Sequence, residues 1–490
     1  MSQTISLRDA AIKELTGAPL DLLIIGGGIV GSGIARDAAM RGLRVGLAEQ
    51  FDFAFGTSSR SSRLLHGGLR YLAQGKVGLV REASVEKMIL SHIAPHLAQP
   101  LGFMFPCYRG TEWPLWQMRI GVKVYDLLCG LGNRNFESSG SMNAAKTAQW
   151  LPGINENKLS GAARYFDGLT NDARLVLDTL RSASNHGAHI ANYLQFQSAE
   201  RKNDVWECQM KDLVTGQTVL VPAKTVANAT GPWSDRVQHS TIKLRLTKGI
   251  HMVIDKKKLP MPDAVVMTQG SRILFVIPWG ERIVLGTTDT DYNGSRESVH
   301  AEPDEIEYVL KVTNELFPKA DLTKNDVIST WAGLRPLIAA KDGSPSDISR
   351  AHDIVNPEPH WWDIAGGKLT TYRLIAEQTV DKILHEAGRT AERCRTAKEP
   401  LLLPDQVAGI SGITPPPFAK SAVEHYCREE WARHLDDVMV RRTSWHYYFT
   451  DAAAKAEQTA QWMAEILGWT DAVRIEEVKR YQANTCSPKP

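Results

Sequence analysis

Cysteine is scarce in this chain and nowhere paired. The six residues (Cys107, Cys129, Cys208, Cys394, Cys427, Cys486) form no CxxC. That argues against a zinc site, a redox dithiol and a disulfide framework, and fits a reducing compartment. An excess of one charge is missing too. The formal net charge is +2, so no nucleic-acid footprint is visible. No uninterrupted apolar run reaches the roughly 18 residues of a membrane-spanning helix. Residues 1 to 18 are mixed and polar, unlike a secretory leader, and read as a short helix or loose arm. The apolar fraction, 43%, and the charged fraction, 23%, are ordinary for a globular protein. At 490 residues the chain has room for about three domains.

What is present, and organises the rest, is the stretch Asp21 to Glu49. An apolar run, Leu22 to Ile25, predicts a buried parallel strand. Gly26, Gly28 and Gly31 follow at dinucleotide-fingerprint spacing. The first permits a tight turn, the second lets a pyrophosphate approach bare backbone, and the third lets the next helix sit close on the sheet. That helix is expected over Ile29 to Arg41, ended by Gly42, with Ile34, Ala35, Ala38 and Ala39 on its packed face. A second strand, Arg44 to Ala48, delivers Glu49, a carboxylate suited to both hydroxyls of an adenosine ribose. A plain tight turn would leave that acid unexplained.

Downstream, Gly56 to Arg63 is dense in hydroxyls and runs into Leu64-Leu65-His66-Gly67-Gly68-Leu69-Arg70-Tyr71. Such a segment can wrap a polar cofactor. Lys76 to Leu97 is helical in pattern. His92 and His96 lie four apart there, but Pro95 disturbs the turn and no third ligand suggests itself, so no metal site is expected. Residues 103 to 131 mix Trp113, Trp116, Ile120, Val124 and Leu127 with Arg109, Arg119 and Lys123. Two readings stand side by side: a bilayer-interface segment, or a core helix with a snorkelling rim. Asn171 to Arg174 starts a helix with Asp172 close to its cap. A β run ending in Ala229-Thr230-Gly231 brings bare backbone to the cofactor crevice.

Residues 241 to 352 read as antiparallel strands with a helix from about Pro303 to Leu316. Ala365-Gly366-Gly367-Lys368-Leu369-Thr370 returns to strand, glycine turn and helix, and sets a second helix N-terminus near the cofactor. Thr414 to Pro417 marks a linker, and Ser421 to Leu435 and Asp451 to Leu467 are helical, with Ser421 and Asp451 as plausible caps. No second GxGxxG is found, so one dinucleotide is expected and the reductant is a small molecule. If the dinucleotide is FAD, its ring lies over Gly56 to Tyr71 and Gly366 to Thr371, where the second helix start would stabilise negative charge.

The blocks IGGGIVGSGIARDAAMRGL, GTSSRSSRLLHGGLRYL, APHLAQP, NDARLVL, NATGPW, FVIPW, GTTDT, GLRPL and GGKLTTYR run in order from about residue 20 to 385. This set resembles the FAD-dependent, quinone-linked glycerol-3-phosphate dehydrogenases, and LLHGGLRYL and GGKLTTYR are not generic flavoprotein motifs. The charged helical tail resembles the family more loosely. The resemblance implies an α/β fold: a Rossmann-like FAD-binding domain (18–240 and 353–388), a mixed β-sheet substrate domain (241–352) and an α-helical C-terminal domain (389–490).

It also implies oxidation of sn-glycerol 3-phosphate to dihydroxyacetone phosphate, with a hydride passing from C2 to FAD and electrons on to a membrane quinone. Arg335 and Arg350 would clamp the phosphate, since guanidinium forks suit a dianion. Arg70 and Tyr71 would add substrate contacts, and Lys368 would face flavin or substrate. His66 and His251 are the candidates for accepting the C2 hydroxyl proton. FAD contacts are implied at Gly26, Gly28, Gly31, Glu49, Thr57, Ser58, Ser62, His66, Gly67, Gly68, Leu69, Gly231, Gly333, Gly367, Lys368, Leu369 and Thr370. Around Arg350 the family commonly continues with Asp and an aromatic residue, whereas this chain reads Ser349-Arg350-Ala351-His352-Asp353. The expected setting is cytoplasmic, attached peripherally to the inner face of the membrane, with a homodimer possible. The alternatives are an oxidase using O₂, an amino-acid oxidase, which would lack a phosphate site, and a flavin-binding homologue without turnover.

Overall fold

The computed structural model describes residues 6–73, 75–128, 137–270, 272–339, 352–390 and 392–485. The apolar run after Asp21 becomes the strand Leu20–Ile25, whose Leu22, Leu23 and Ile24 are fully buried. Burial on both faces is what makes an uninterrupted apolar run a central parallel strand rather than an edge. Val45–Ala48 and Thr218–Asn228 pair with it in parallel on either side. The sheet continues outward to His189–Ala191 beyond Val45–Ala48, and to Trp361–Gly366 and then His352–Glu358 beyond Thr218–Asn228. An antiparallel ribbon, Leu194–Lys202 with Val205–Asp212, extends the Thr218 end.

The helices Ile29–Met40, Asp172–Asn185 and Tyr372–Glu386 cover one face of this sheet. Gly33 lets the first and third meet, since a β-carbon there would stand 2.9 Å from the Tyr372 ring. Of the two histidines four apart, His96 hydrogen-bonds the buried Asp178 at 2.9 Å. The cap at the start of Asp172–Asn185 is Asn171, whose side chain accepts from the Arg174 N–H; Asp172 is the first helical residue.

The second sheet is larger than residues 241 to 352. Its strands Leu244–Asp255, Arg282–Gly286, Arg272–Trp279 and Ala264–Gln269 form the expected antiparallel array, but Ala264–Gln269 pairs in parallel with Gln99–Tyr108. Leu159–Leu169, Gly140–Asn143 and Leu64–Leu65 follow. These four strands, which lie in the stretch assigned from the sequence to the nucleotide domain, therefore hydrogen-bond into the other sheet. Pattern within a strand carries no information on such distant pairing.

The C-terminal helices differ from the expectation. Lys420–Glu429 stops where Trp431 takes φ +55°, short of Leu435. Ser421 is its second residue, and Ala419 occupies the cap position without a side-chain bond. Asp451 does stand at the cap of Ala452–Leu467, but its carboxylate makes no capping bond. This region is fastened to the nucleotide domain by buried charge. Arg174 forks onto Glu430 at 2.6 and 2.9 Å, and Asp52 accepts from both Arg441 and Arg442.

Candidate active site

The fingerprint glycines are required by contact. Gly26 has φ +111°, and a β-carbon on it would lie 2.6 Å from the Ala229 carbonyl oxygen. A β-carbon on Gly31 would lie 2.0 Å from the Gly26 oxygen, so only glycine lets the helix sit this close. Gly28 opens on a long cavity, and Ser58 Oγ accepts from the Ile29 N–H beside it at 3.0 Å. Glu49 stands at the same end. Its two oxygens accept from the N–H groups of Gly27 (2.7 Å) and Phe51 (2.9 Å), which leaves lone pairs for ligand hydroxyls. Burial pushes its carboxyl up to about 7, against those two hydrogen bonds.

The same cavity runs past Thr57, Ser58, Ser62, Gly231 and Gly333 to His66, Gly367, Lys368, Leu369 and Thr370. Gly366 and Gly367 both take positive φ, and the short turn Leu369–Thr371 leads into the helix Tyr372–Glu386. The glycine cradle, the acid at one end and a second helix start at the other fit FAD. Residues Gly31, Gly67, Gly68 and Leu69 do not line this cavity. Gly31 packs the helix. The Gly67 N–H donates to Tyr125 Oη (2.9 Å), whose hydroxyl donates to Asp167 (2.6 Å), itself paired with Lys87 (2.8 Å).

Strand register builds the chemistry at the far end. Thr247, Gly249 and His251 lie opposite Arg335, Gly333 and Trp331 in an antiparallel pair. Alternation puts all six on one face. Arg335 crosses over Gly249, donating from Nη1 to Asp289 (2.9 Å) and from Nη2 to Thr287 Oγ1 (3.0 Å). His251 is 2% exposed and stacks on Trp331, with centroids 5.2 Å apart and 19° between the planes. Its Nε2 meets Ser62 Oγ at 2.8 Å, and its Nδ1 has no hydrogen-bond partner among the described residues. Burial, with Arg335 and Arg63 adding to it, drives the imidazole down to about 3. Lys368 Nζ lies 4.2 Å from the centre of the Tyr71 ring. His66 is half-buried, and its backbone N–H donates to Thr370 Oγ1 at 3.1 Å.

A second cavity adjoins the first, sharing Ser62, Leu64, His66 and Arg335 with it. Its walls are Leu69, Tyr71, Phe103, Phe105, Trp113 and Phe275, and the helix Leu115–Leu128 forms one side. The described part of residues 103 to 131 has a packed face and an exposed one. Met118, Val122 and Tyr125 face the core, while Trp116 and Leu127 are 66% and 59% exposed. Residues 129–131 lie outside the described residues, as does Arg350. Arg70 belongs to the helix Leu69–Ala73, but its side chain is not among those described. Sequence reasoning missed Asp289, Thr287 and Trp331. The first two sit in GTTDT, a motif noticed without a role; Trp331 precedes GLRPL by two residues and had no signal of its own.

The fold and this two-ended cleft define a dinucleotide-dependent oxidoreductase. Residues 21–381 match the family described as FAD dependent oxidoreductase, and residues 370–474 match the C-terminal domain of alpha-glycerophosphate oxidase. The chain is 37% identical over 412 residues to an aerobic glycerol-3-phosphate dehydrogenase of Staphylococcus epidermidis, covering 81% of this chain and 73% of that one. It is 38% identical over 405 residues to the Bacillus subtilis enzyme of that name, covering 80% and 73%. The glycerol-3-phosphate dehydrogenase of Bacillus halodurans, solved with FAD, superposes with a TM-score of 0.78 at 27% identity over 98% of both chains. The L-alpha-glycerophosphate oxidase of Mycoplasma pneumoniae, also FAD-bound, shares the fold at a TM-score of 0.61 and 15% identity, over 79% of this chain and 100% of that one. The chain is a member of the FAD-dependent glycerol-3-phosphate dehydrogenase family. It is an FAD enzyme, and the reading as a flavin-binding protein without turnover is set aside. No helix among the described residues is long and apolar enough to cross a membrane.

Proposed function

We propose that this enzyme oxidises sn-glycerol 3-phosphate to dihydroxyacetone phosphate. The observation that carries the reading is Arg335, a guanidinium aimed into the cleft beside His251 and His66. A planar fork suits a phosphate dianion, which exchanges for the single carboxylate of Asp289. By the family resemblance Arg350 completes the clamp and Arg70 and Tyr71 add contacts. FAD, when bound, supplies the acceptor for the hydride leaving C2. Lys368 at the helix start contributes positive charge where negative charge develops. Of the two histidines, His66 is the better proton acceptor. It is half-buried and faces both cavities, whereas His251 is sealed between Trp331 and Ser62 and kept neutral. His251 then acts as a hydrogen-bonding partner for Ser62.

The onward acceptor is proposed to be a membrane quinone. The aromatic wall of the second cavity, Phe103, Phe105, Trp113 and Phe275, supports this, and so does the exposed stripe Trp116, Ile120, Val124 and Leu127 on a peripheral helix. Attachment to the inner face of the membrane is part of the same proposal, and the stripe supports it only as a contact surface. The test is an anaerobic titration of the holoenzyme with sn-glycerol 3-phosphate, read at about 450 nm. Bleaching that a quinone analogue reverses faster than air supports the reading. Faster reversal by air favours an oxidase, and a flavin that the substrate does not bleach removes the substrate assignment.

A further inference from the structure

The C-terminal region carries side chains to the back of the redox cleft. Ser444, in the left-handed conformation at φ +58°, accepts a hydrogen bond from Arg63 Nη2 at 3.1 Å. Arg63 is itself left-handed, at φ +57°, and 2% exposed. A non-glycine residue in that region is uncommon and marks a constrained site. Its guanidinium lies 4.2 Å from the centre of Trp279 and 5.2 Å from that of Trp331. Asp172 stands 3.9 Å from Nε, and neither Nε nor Nη1 has a hydrogen-bond partner among the described residues. Tyr447 adds a second contact: its ring lies 5.1 Å from Trp331, and its carbonyl accepts from Ser329 Oγ at 2.8 Å. Trp331 donates from Nε1 to the Ser61 carbonyl at 3.2 Å and stacks on His251.

A buried cation with two unused donors is costly, and an aromatic sandwich recovers only part of that cost. Replacing Arg63 by an apolar residue would be the simpler packing solution. The arrangement makes sense if the rigid stack matters for what lies at its far end.

We propose that residues 441–447 serve the redox cleft, with Ser444 and Tyr447 fixing Arg63 and Trp331 and thereby positioning His251 and Ser62. Arg63, Trp331 and Ser444 are positioning residues, since none of them touches the reacting atoms. The proposal rests on the reading of this cleft as the redox site, but its test does not use the substrate.

The experiment uses the FAD-loaded full chain, histidine-labelled, at neutral pH, with the His251 cross-peak identified by its absence in His251→Gln. Ring current from Trp331 makes that cross-peak a gauge of the stack. Ser444→Ala and Arg63→Met are expected to move it, with the histidine peaks other than those of His251 and the neighbouring His446 unchanged. An unmoved cross-peak in Ser444→Ala overturns the proposal, including where Arg63→Met does not fold. Because reduction by glycerol phosphate is scored separately on the wild type, failure of the substrate assignment and failure of this proposal are distinct results.

Discussion

Gly249 and Arg335 occupy neighbouring strands so closely that a β-carbon on Gly249 would come within 2.3 Å of the Arg335 Nη2. The guanidinium passes over bare backbone, in space that a side chain at Gly249 would fill. Gly249→Ala is expected to displace the fork and raise KM for glycerol 3-phosphate about as much as Arg335→Met does. Both should keep the flavin spectrum. Loss of charge-assisted bonds worth about 1.5–3 kcal/mol corresponds to roughly a 10- to 150-fold rise. An unchanged KM in Arg335→Met would remove the phosphate role.

Glu49 sets apoprotein stability against cofactor binding. Its carboxyl is raised by burial to about 7, from an ordinary value of 4.5. The folded chain therefore holds that proton more tightly than the unfolded chain, and stability falls as pH rises from about 4.5 to 7. Glu49→Gln removes the loss. The apoprotein variant should melt higher than wild type at pH 8 and at the same temperature at pH 4, while its affinity for FAD drops. Melting curves at the two pH values and a flavin fluorescence titration check both halves.

Glu430 has the opposite sign. The neighbouring Arg174 and Arg181 overcome burial and hold its carboxyl well below the usual range. Its contribution is complete above about 4.5 and is lost as pH falls below that. Glu430→Gln leaves Asp178, at 2.7 Å, as the remaining carboxylate partner of the buried Arg174 guanidinium, so the cost is expected at the lower end of that for breaking a buried pair, about 3 kcal/mol. Urea unfolding at neutral pH should show that loss, and the difference from wild type should shrink in acid.

The helix Leu115–Leu128 offers Trp116, Ile120 and Leu127 to solvent from one face. Replacing Trp116 and Leu127 by Ser should leave the melting temperature unchanged and reduce co-sedimentation with vesicles. At about 1.5–3 kcal/mol per buried apolar side chain, the double change costs well over tenfold in partitioning. Wild-type protein that does not sediment with vesicles at low salt would remove the membrane role of this helix.

How far the sequence could be read depended on the range of the interaction. The βαβ unit from Leu20 to Glu49 is local. Its glycines, apolar run and terminal acid each have one physical reason, and each was legible. Gly333, Arg335 and His251 were picked out by resemblance, but that they share one face follows only from the pairing of Leu244–Asp255 with Val327–Ile338, a register no single strand specifies. The docking of Gln99–Tyr108 beside Ala264–Gln269 is likewise written in two distant stretches at once. Ser421 failed as a cap because a hydroxyl near a helix start is a common coincidence, and the chain enters that helix one residue earlier.

The threading of the chain through both sheets also sets an order of completion. The nucleotide sheet begins with Leu20–Ile25, but its neighbour Thr218–Asn228 is made some two hundred residues later, and Trp361–Gly366 later still. The glycine turn that closes the cofactor cavity follows that last strand directly. During synthesis the first half of the molecule therefore emerges with no finished cleft to hold FAD. The cofactor can act as a clamp on the nascent chain only after both sheets are in place, so flavin supply should govern the yield of finished enzyme rather than the early steps of its folding.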